Sequence, residues 1–167
     1  MEREVGICTA CDTVYVMGID DPRTTCVACL TSYGFQVVWF NIPDGGVLNL
    51  TQHEATPDQL AAGVYEPPSP AKEIICRLLT FDNLPTLSDI VNRAAELAEI
   101  AAALSFWGQM VMIGGAPWLM GHLERWLRDR GLTPVYAFSK RVVKEEVLPN
   151  GEARKTSSFT HEGFVIA

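Results

Sequence analysis

Apolar and polar residues change their spacing several times along this chain, and each change marks an element. Met110-Val111-Met112-Ile113 is a continuous apolar run, the pattern of a short strand buried on both faces. Gly114 and Gly115 permit a sharp turn after it. Pro117 suits the first turn of a helix, where its missing N–H costs nothing. In that helix Leu119, Leu123, Trp126 and Leu127 share one stripe, while Glu124, Arg125, Arg128 and Asp129 face outward. Gly131 closes it, and Pro134 opens a second strand, Val135 to Phe138. Such a strand–helix–strand unit predicts two parallel neighbours joined by a right-handed crossover.

Upstream, Val47 to Leu50 is another apolar strand, ending in the polar triplet Thr51-Gln52-His53. Thr56 ahead of Pro57 and Asp58 reads as the N-cap of a short helix. Pro67, Pro68 and Pro70 mark a rigid loop, and Ser69-Pro70 reads as N-cap and first residue of a helix through Leu79. Cys76 falls on that helix's apolar stripe as a buried thiol. Ser88 is placed to cap the longest helix, an Ala- and Leu-rich run to about Phe106. At the C-terminal end, Arg141 to Leu148 runs into Pro149-Asn150-Gly151, a hairpin turn, and Ala153 to Phe159 returns. His161 lies just past the return, a surface position. Residues 47–167 therefore predict an α/β domain with a mainly parallel sheet and a C-terminal β-hairpin.

Residues 1–46 follow a different plan. Cys8-Thr-Ala-Cys11 and Cys26-Val-Ala-Cys29 are two C-x2-C knuckles separated by fourteen residues. Four thiolates on two hairpin ends are the ligand set of a structural zinc ribbon, with Val14 to Met17 and Phe35 to Phe40 as flanking strands. A module this small cannot bury enough surface to fold alone, so bound Zn2+ supplies its folding energy. Asp44-Gly45-Gly46 is the turn that ends it. The module carries Arg3 and Arg23 against six acidic residues. That balance disfavours phosphate contact and leaves a structural role or contact with a protein partner.

Composition narrows the function classes. At 48 % hydrophobic, 167 residues suffice for a real core, yet no apolar run approaches the roughly 18 residues of a membrane helix. The N-terminus has no signal-peptide stretch, which points to a cytoplasmic protein with no membrane partner. A net charge of −7 excludes a general DNA or RNA binder but not a small anion in a local basic pocket.

Ligands of open α/β sheets bind beyond the carboxyl ends of the strands, where helix N-termini and loop N–H groups point outward. Thr51, Gln52 and His53, the loop Gly114-Gly115-Ala116, and the cluster Ser139-Lys140-Arg141 all fall at such ends. Together they suit a phosphate-bearing ligand. Taken alone, the glycines are equally a tight turn and the basic pair a solvated surface. His53 is either an acid, base or phosphate contact, or a loop-capping residue.

The stretch LTPVYAFSKRVVKEEVLPNGEARKTSSFTHEGF, residues 132–164, resembles the C-terminal signature of a family of small CRISPR-associated proteins. Its marks are a strand with Pro-Val-Tyr, a Ser-Lys-Arg turn, a Val-Lys-Glu-Glu hairpin and a closing Phe-x-His. The Gly114-Gly115 loop and the strand ending in Thr51-Gln52-His53 fit the same plan. That family resembles the CARF (CRISPR-associated Rossmann-fold) proteins and is regarded as one of ring nucleases. The resemblance implies a Rossmann-like homodimer that binds a cyclic oligoadenylate second messenger and linearises it without a catalytic metal. It implies Lys140 and Arg141 as catalytic cations and Ser139 as a ligand contact. Thr51, Gln52 and His53 match by position, with His53 as acid or base. Lys144 adds a further hairpin cation, and Trp118 either stacks on an adenine or packs. The cysteine ribbon is not part of that pattern. Two other readings stay open: a sensor or sponge that holds the ligand uncut, and an adaptor acting through its ribbon.

Overall fold

The computed structural model describes residues 2–17, 26, 29, 35–147 and 153–167. The predicted turn Pro149-Asn150-Gly151 lies outside them, as do the side chains of Lys144, Arg154 and Lys155. The chain is α/β, with a mixed, mostly parallel sheet and a four-cysteine cluster near its N-terminus.

The N-terminal part is a three-stranded antiparallel sheet of β1 (Glu2–Cys8), β2 (Val14–Met17) and β3 (Phe35–Asn41), with β1 in the middle. The larger sheet contains β4 (Val47–Leu50), β5 (Val64–Tyr65), β6 (Met110–Ile113), β7 (Thr133–Val147) and β8 (Ala153–Ile166). Its order is β5-β4-β6-β7-β8. The first four strands are parallel and β8 runs against β7. Helices connect them: α1 (Pro57–Ala61), α2 (Ser69–Leu79), α3 (Leu87–Ala103) and α4 (Pro117–Asp129).

The strand order explains the layers. The chain leaves β4 toward β5 on one side, whereas β6 and β7 lie on the other, so right-handed crossovers send α1 and α4 to opposite faces. On the α4 face, Leu48, Leu50, Val111 and Ile113 pack with Leu97, Leu119 and Leu123 in the main core. Val5, Ile7, Val14 and Ile42 join that same cluster, so the small sheet closes over the helices from the far side. On the α1 face, Val47, Val64, Met112 and Val135 form a second, smaller cluster with Phe164 against it. Burial on both faces is what the unbroken apolar run of β6 requires, and β4 is buried in the same way.

Several elements begin or end away from where the residues alone place them. Thr56 caps α1 with a reciprocal Thr56–Gln59 box, as expected. Ser88 does not cap α3. Thr86 does, because Asp89 three residues on returns the hydrogen bond to the cap backbone; the helix then stops at Ala103. Ser69 lies inside α2, with Pro68 as the cap residue and no side-chain cap bond. The largest difference is in β7. The strand predicted to stop at Phe138 continues to Val147, since β8 supplies an antiparallel ladder beyond the end of the parallel sheet. Ser139-Lys140-Arg141 is therefore not a loop but part of a two-stranded ribbon. His161 is inside its return strand rather than past it.

Candidate functional site

The carboxyl ends of β4 and β6 meet at the point where strand order reverses, the place in an open α/β sheet where ligands bind. A cleft of about 440 Å3 opens there. Its walls include Thr51, Gln52 and His53 from the loop after β4, Gly114 and Gly115 after β6, Thr56 and Gln59 of α1, and Tyr136 and Ala137 of β7. A Cβ on Gly114 would meet the Thr51 methyl at 3.7 Å, so the two loops are near neighbours. Gly115 adopts φ +154°, a conformation that favours glycine, and α4 starts directly after it with no side-chain cap at Ala116. Pro117 brings no N–H to that first turn, and Leu119 N donates to the Ala116 carbonyl at 2.9 Å.

The 51–55 loop is held by a polar network that the sequence alone does not reveal. Asn49 is fully buried in the middle of an apolar strand. Its Nδ2 donates to the His53 carbonyl (2.8 Å) and to Glu66 Oε1 (2.6 Å), and its Oδ1 accepts from Thr51 N and Oγ1. Glu66 Oε1 also accepts from Ala55 N (2.6 Å). Lys72 donates at 3.0 Å to the Thr51 carbonyl, the His53 carbonyl and Glu66 Oε2. Partial burial works against the Glu66 charge. The Asn49 amide, the Ala55 N–H and the Lys72 ammonium outweigh it and hold the carboxyl below its ordinary value of 4.5. Farther out, Gln52 Nε2 donates to Thr80 Oγ1 at 2.9 Å. The one available signal was Asn49 itself, an amide in a strand that otherwise reads as buried on both faces.

The other expected contacts are distributed differently. Ala116 and Trp118 do not line the cleft: Ala116 packs on the main core, and Trp118 stands edge-on to Phe81 at 6.1 Å on the helical side. Lys72 does not line the cleft, and its ammonium is taken up by the Thr51 and His53 carbonyls and Glu66. Ser139, Lys140 and Arg141 are exposed on the ribbon beyond the cleft. Arg141 stands four residues past Ala137, about 13 Å along the strand. Strand alternation places Ser139 and Arg141 on the side that carries Ala137, and Lys140 on the side that carries Tyr136. Tyr136 is fixed to α4 by its hydroxyl donating to Glu124 at 2.8 Å. Desolvation and that carboxylate push the phenol up to about 12. Only the backbone of Lys144 is described; it pairs with Thr156.

The second site is the cysteine cluster. One sulfur from each of Cys8, Cys11, Cys26 and Cys29 lies within 4.8 Å of the others. Cys8 Sγ is 3.8 Å from Cys29 Sγ, and Cys11 Sγ 3.5 Å from Cys26 Sγ. Tetrahedral zinc with sulfur ligands at about 2.3 Å requires sulfur separations of about 3.8 Å, so the donor set fits. The first knuckle closes by Asp12 N donating to the Cys8 carbonyl at 2.8 Å, with Asp12 in the left-handed region at φ 59°. The Tyr15 hydroxyl lies 2.9 Å from Cys26 Sγ, a contact that orients a ligand from outside its coordination shell. The Thr13 hydroxyl beside Cys11 favours its thiolate, yet desolvation and the neighbouring sulfurs of Cys29 and Cys26 push the thiol up to about 11. A cation among the four sulfurs reverses that balance. These four cysteines can bind a metal ion such as zinc.

Fold and sites thus define an α/β protein with a switch-point cleft and a four-cysteine cluster that can hold a metal ion. Residues 46–165 match the profile of the uncharacterized protein MJ1673 family, and the chain belongs to that family. No curated protein and no solved structure matches it. Among the described residues no helix is long and apolar enough to cross a membrane.

Proposed function

We propose that the protein is a Rossmann-like ring nuclease that binds a cyclic oligoadenylate in the switch-point cleft and opens it without a catalytic metal. The observation that carries this reading is the convergence of the Thr51-Gln52-His53 loop and the Gly114-Gly115 turn on one cleft. Such an end of a parallel sheet offers backbone N–H groups to phosphate. The tail resemblance supplies the ligand class. A cleft of about 440 Å3 suits one nucleotide unit better than a whole ring. A second copy sharing the ring across a two-fold completes the site, which makes the working unit a homodimer.

In this reading the cleft holds a ribose phosphodiester so that the 2′-hydroxyl lies in line with the leaving 5′-oxygen, and alignment lowers much of the barrier. Arg141 meets the phosphate from the ribbon as a fixed charge with a planar fork. His53 stands at the cleft wall as a ligand contact. Zinc in the cysteine cluster holds the N-terminal sheet and takes no part in the chemistry.

The test is chromatography of cyclic tri-, tetra- and hexa-adenylate after incubation with pure protein in a chelator mild enough to leave the cysteine-bound metal in place. Linear products that disappear in Arg141→Ala support the nuclease. Intact ligand with tight binding makes the protein a sensor, and neither binding nor cutting removes the reading.

A further inference from the structure

Beyond the end of the parallel sheet the ribbon stands without support. The β6 ladder leaves β7 at Val135, and β8 is the last strand of its sheet. From Tyr136 to Val147 the two strands therefore pair only with each other among the described residues. A two-stranded ladder of this kind is marginal in water unless something covers it. Phe138, Val143 and Phe159 are each more than half exposed on it. Lys140 and Arg141 are exposed too, and neither has an ion-pair partner among the described residues.

A β-bulge sets which residues share a face of the ribbon. Phe138 pairs with Gly163, but Ser139 pairs with His161, so Glu162 is an extra residue in β8. Gly163, at φ +153°, allows the irregularity. Without it, alternation would send His161 and Phe164 to opposite faces; with it their rings meet at 4.7 Å. Residues directly opposite in the ladder share a face, so Ser139, Arg141, Val143 and Phe159 form one exposed group. That face presents a guanidinium flanked by two apolar side chains.

A surface of matching character lies elsewhere on the same chain. A groove of about 470 Å3 adjoins the cleft and shares Gln52 and Glu54 with it. Its lining includes Glu73 of α2 and the half-exposed Leu60 of α1. Glu54 and Glu73 are exposed, and neither has an ion-pair partner among the described residues. The order β5-β4-β6-β7-β8 puts the ribbon at one edge of the sheet and the groove, beside β5 and α2, toward the other. No ribbon residue lines the groove, so the two surfaces do not meet within one chain. A chain with a cationic, apolar arm and a separate acidic, partly apolar groove is complementary to itself, as a two-fold contact requires.

We propose that the ribbon is a docking arm for a second copy of this chain, seated with its Arg141 face on the partner's groove. Phe159 and Val143 pack at the partner's Leu60, and Arg141 pairs with the partner's Glu54. The inference rests on the ring-nuclease reading and goes further by making Arg141 act across the dimer. Glu54 lines groove and cleft alike, so this seat brings the guanidinium to the mouth of the partner's cleft. In its own chain Arg141 stands about 13 Å along the strand beyond Ala137, the last residue of β7 in the cleft wall.

Sedimentation equilibrium of the full chain, with no ligand added, reads the arm directly. The wild type should be a dimer, and Phe159→Glu should raise its dissociation constant about thirtyfold, the usual loss at an aromatic anchor. Arg141→Glu and Glu54→Arg should each weaken the dimer, and the double variant should restore it, since the pair is then reversed rather than broken. All three side chains are exposed, so circular dichroism should stay that of the wild type. A monomeric wild type, or a dimer that Phe159→Glu and the charge reversals leave intact, overturns the inference and leaves the nuclease reading standing. Action across the dimer is read by mixing Arg141→Ala with Gly114→Trp, whose side chain fills the cleft. Each is expected to be inactive alone and the mixture to recover part of the cutting; no recovery overturns the role of Arg141 across the dimer. Should the wild type neither bind nor cut cyclic oligoadenylate, the nuclease reading falls, and sedimentation alone decides on the arm.

Discussion

Two loops of this protein are pinned by polar atoms rather than by apolar packing, and they are pinned in opposite ways. The 51–55 loop is closed by groups that satisfy one another: an ammonium, a carboxylate, an amide and the backbone groups of Thr51, His53 and Ala55. The cysteine knuckles are closed by four like groups whose sulfurs crowd within 4.8 Å. The first arrangement is complete within the chain. The second can be completed by a cation, because thiolates repel and thiols bond weakly. A loop that completes itself can serve as a fixed wall of a binding site, whereas a loop completed from outside ties part of the fold to metal supply.

This contrast predicts effects of very different size. Stripping metal with a strong chelator, or Cys26→Ser, should remove a metal-binding contribution on the order of 10 kcal/mol from the N-terminal sheet. Thermal unfolding combined with metal analysis reads it; an unchanged unfolding curve in the metal-free protein would falsify the cation-dependent account. Next in size is Lys72→Met, which leaves Glu66 without its counter-charge. Breaking a fully buried pair costs 3–5 kcal/mol, and the partial exposure of Glu66 reduces the expected loss to about 2 kcal/mol. Denaturant titration measures it, and ligand binding should weaken in parallel as Thr51 and His53 lose their anchor. A loss in Lys72→Met no larger than that of an exposed lysine would show that the loop does not need the network.

A smaller effect is expected with pH. The carboxyl of Glu66 is lower in the folded chain than in the unfolded one, so its contribution is fully present above 4.5 and is lost as pH falls through the lowered value. Stability measured from pH 6 down should therefore start to fall near 4.5 and keep falling to the lowered value, and Glu66→Gln should flatten that decline. The smallest effect belongs to Arg77→Ala. Its 2.6 Å ion pair with Asp12 ties α2 to the first knuckle, but both side chains are well exposed. A change within about 1 kcal/mol is expected. A larger one would mean that the knuckle is held from α2 as well as by its sulfurs.

Much of the fold could be read directly from residues. The apolar run Met110–Ile113 is β6 to the residue, Pro117 opens α4, and Thr56 caps α1. Paired C-x2-C spacing matches the four sulfurs brought together in the fold. These are local matters: burial periodicity, a missing N–H, a cap hydroxyl and a ligand spacing each act over a few residues, so the sequence alone carries them.

What only the tertiary structure decided was long-range. Ser139-Lys140-Arg141 is strand rather than loop because His161, Thr160 and Phe159 of β8 offer a ladder where the parallel neighbours end. Asn49, Glu66 and Lys72 are unremarkable apart and meet only once β4, the segment after β5 and α2 converge. His161 shares a face with Arg141 and Phe164 because one extra residue in β8 reverses the alternation at that point. Register, convergence and bulge are set by which segments pair across the fold, and no local pattern in the chain specifies them.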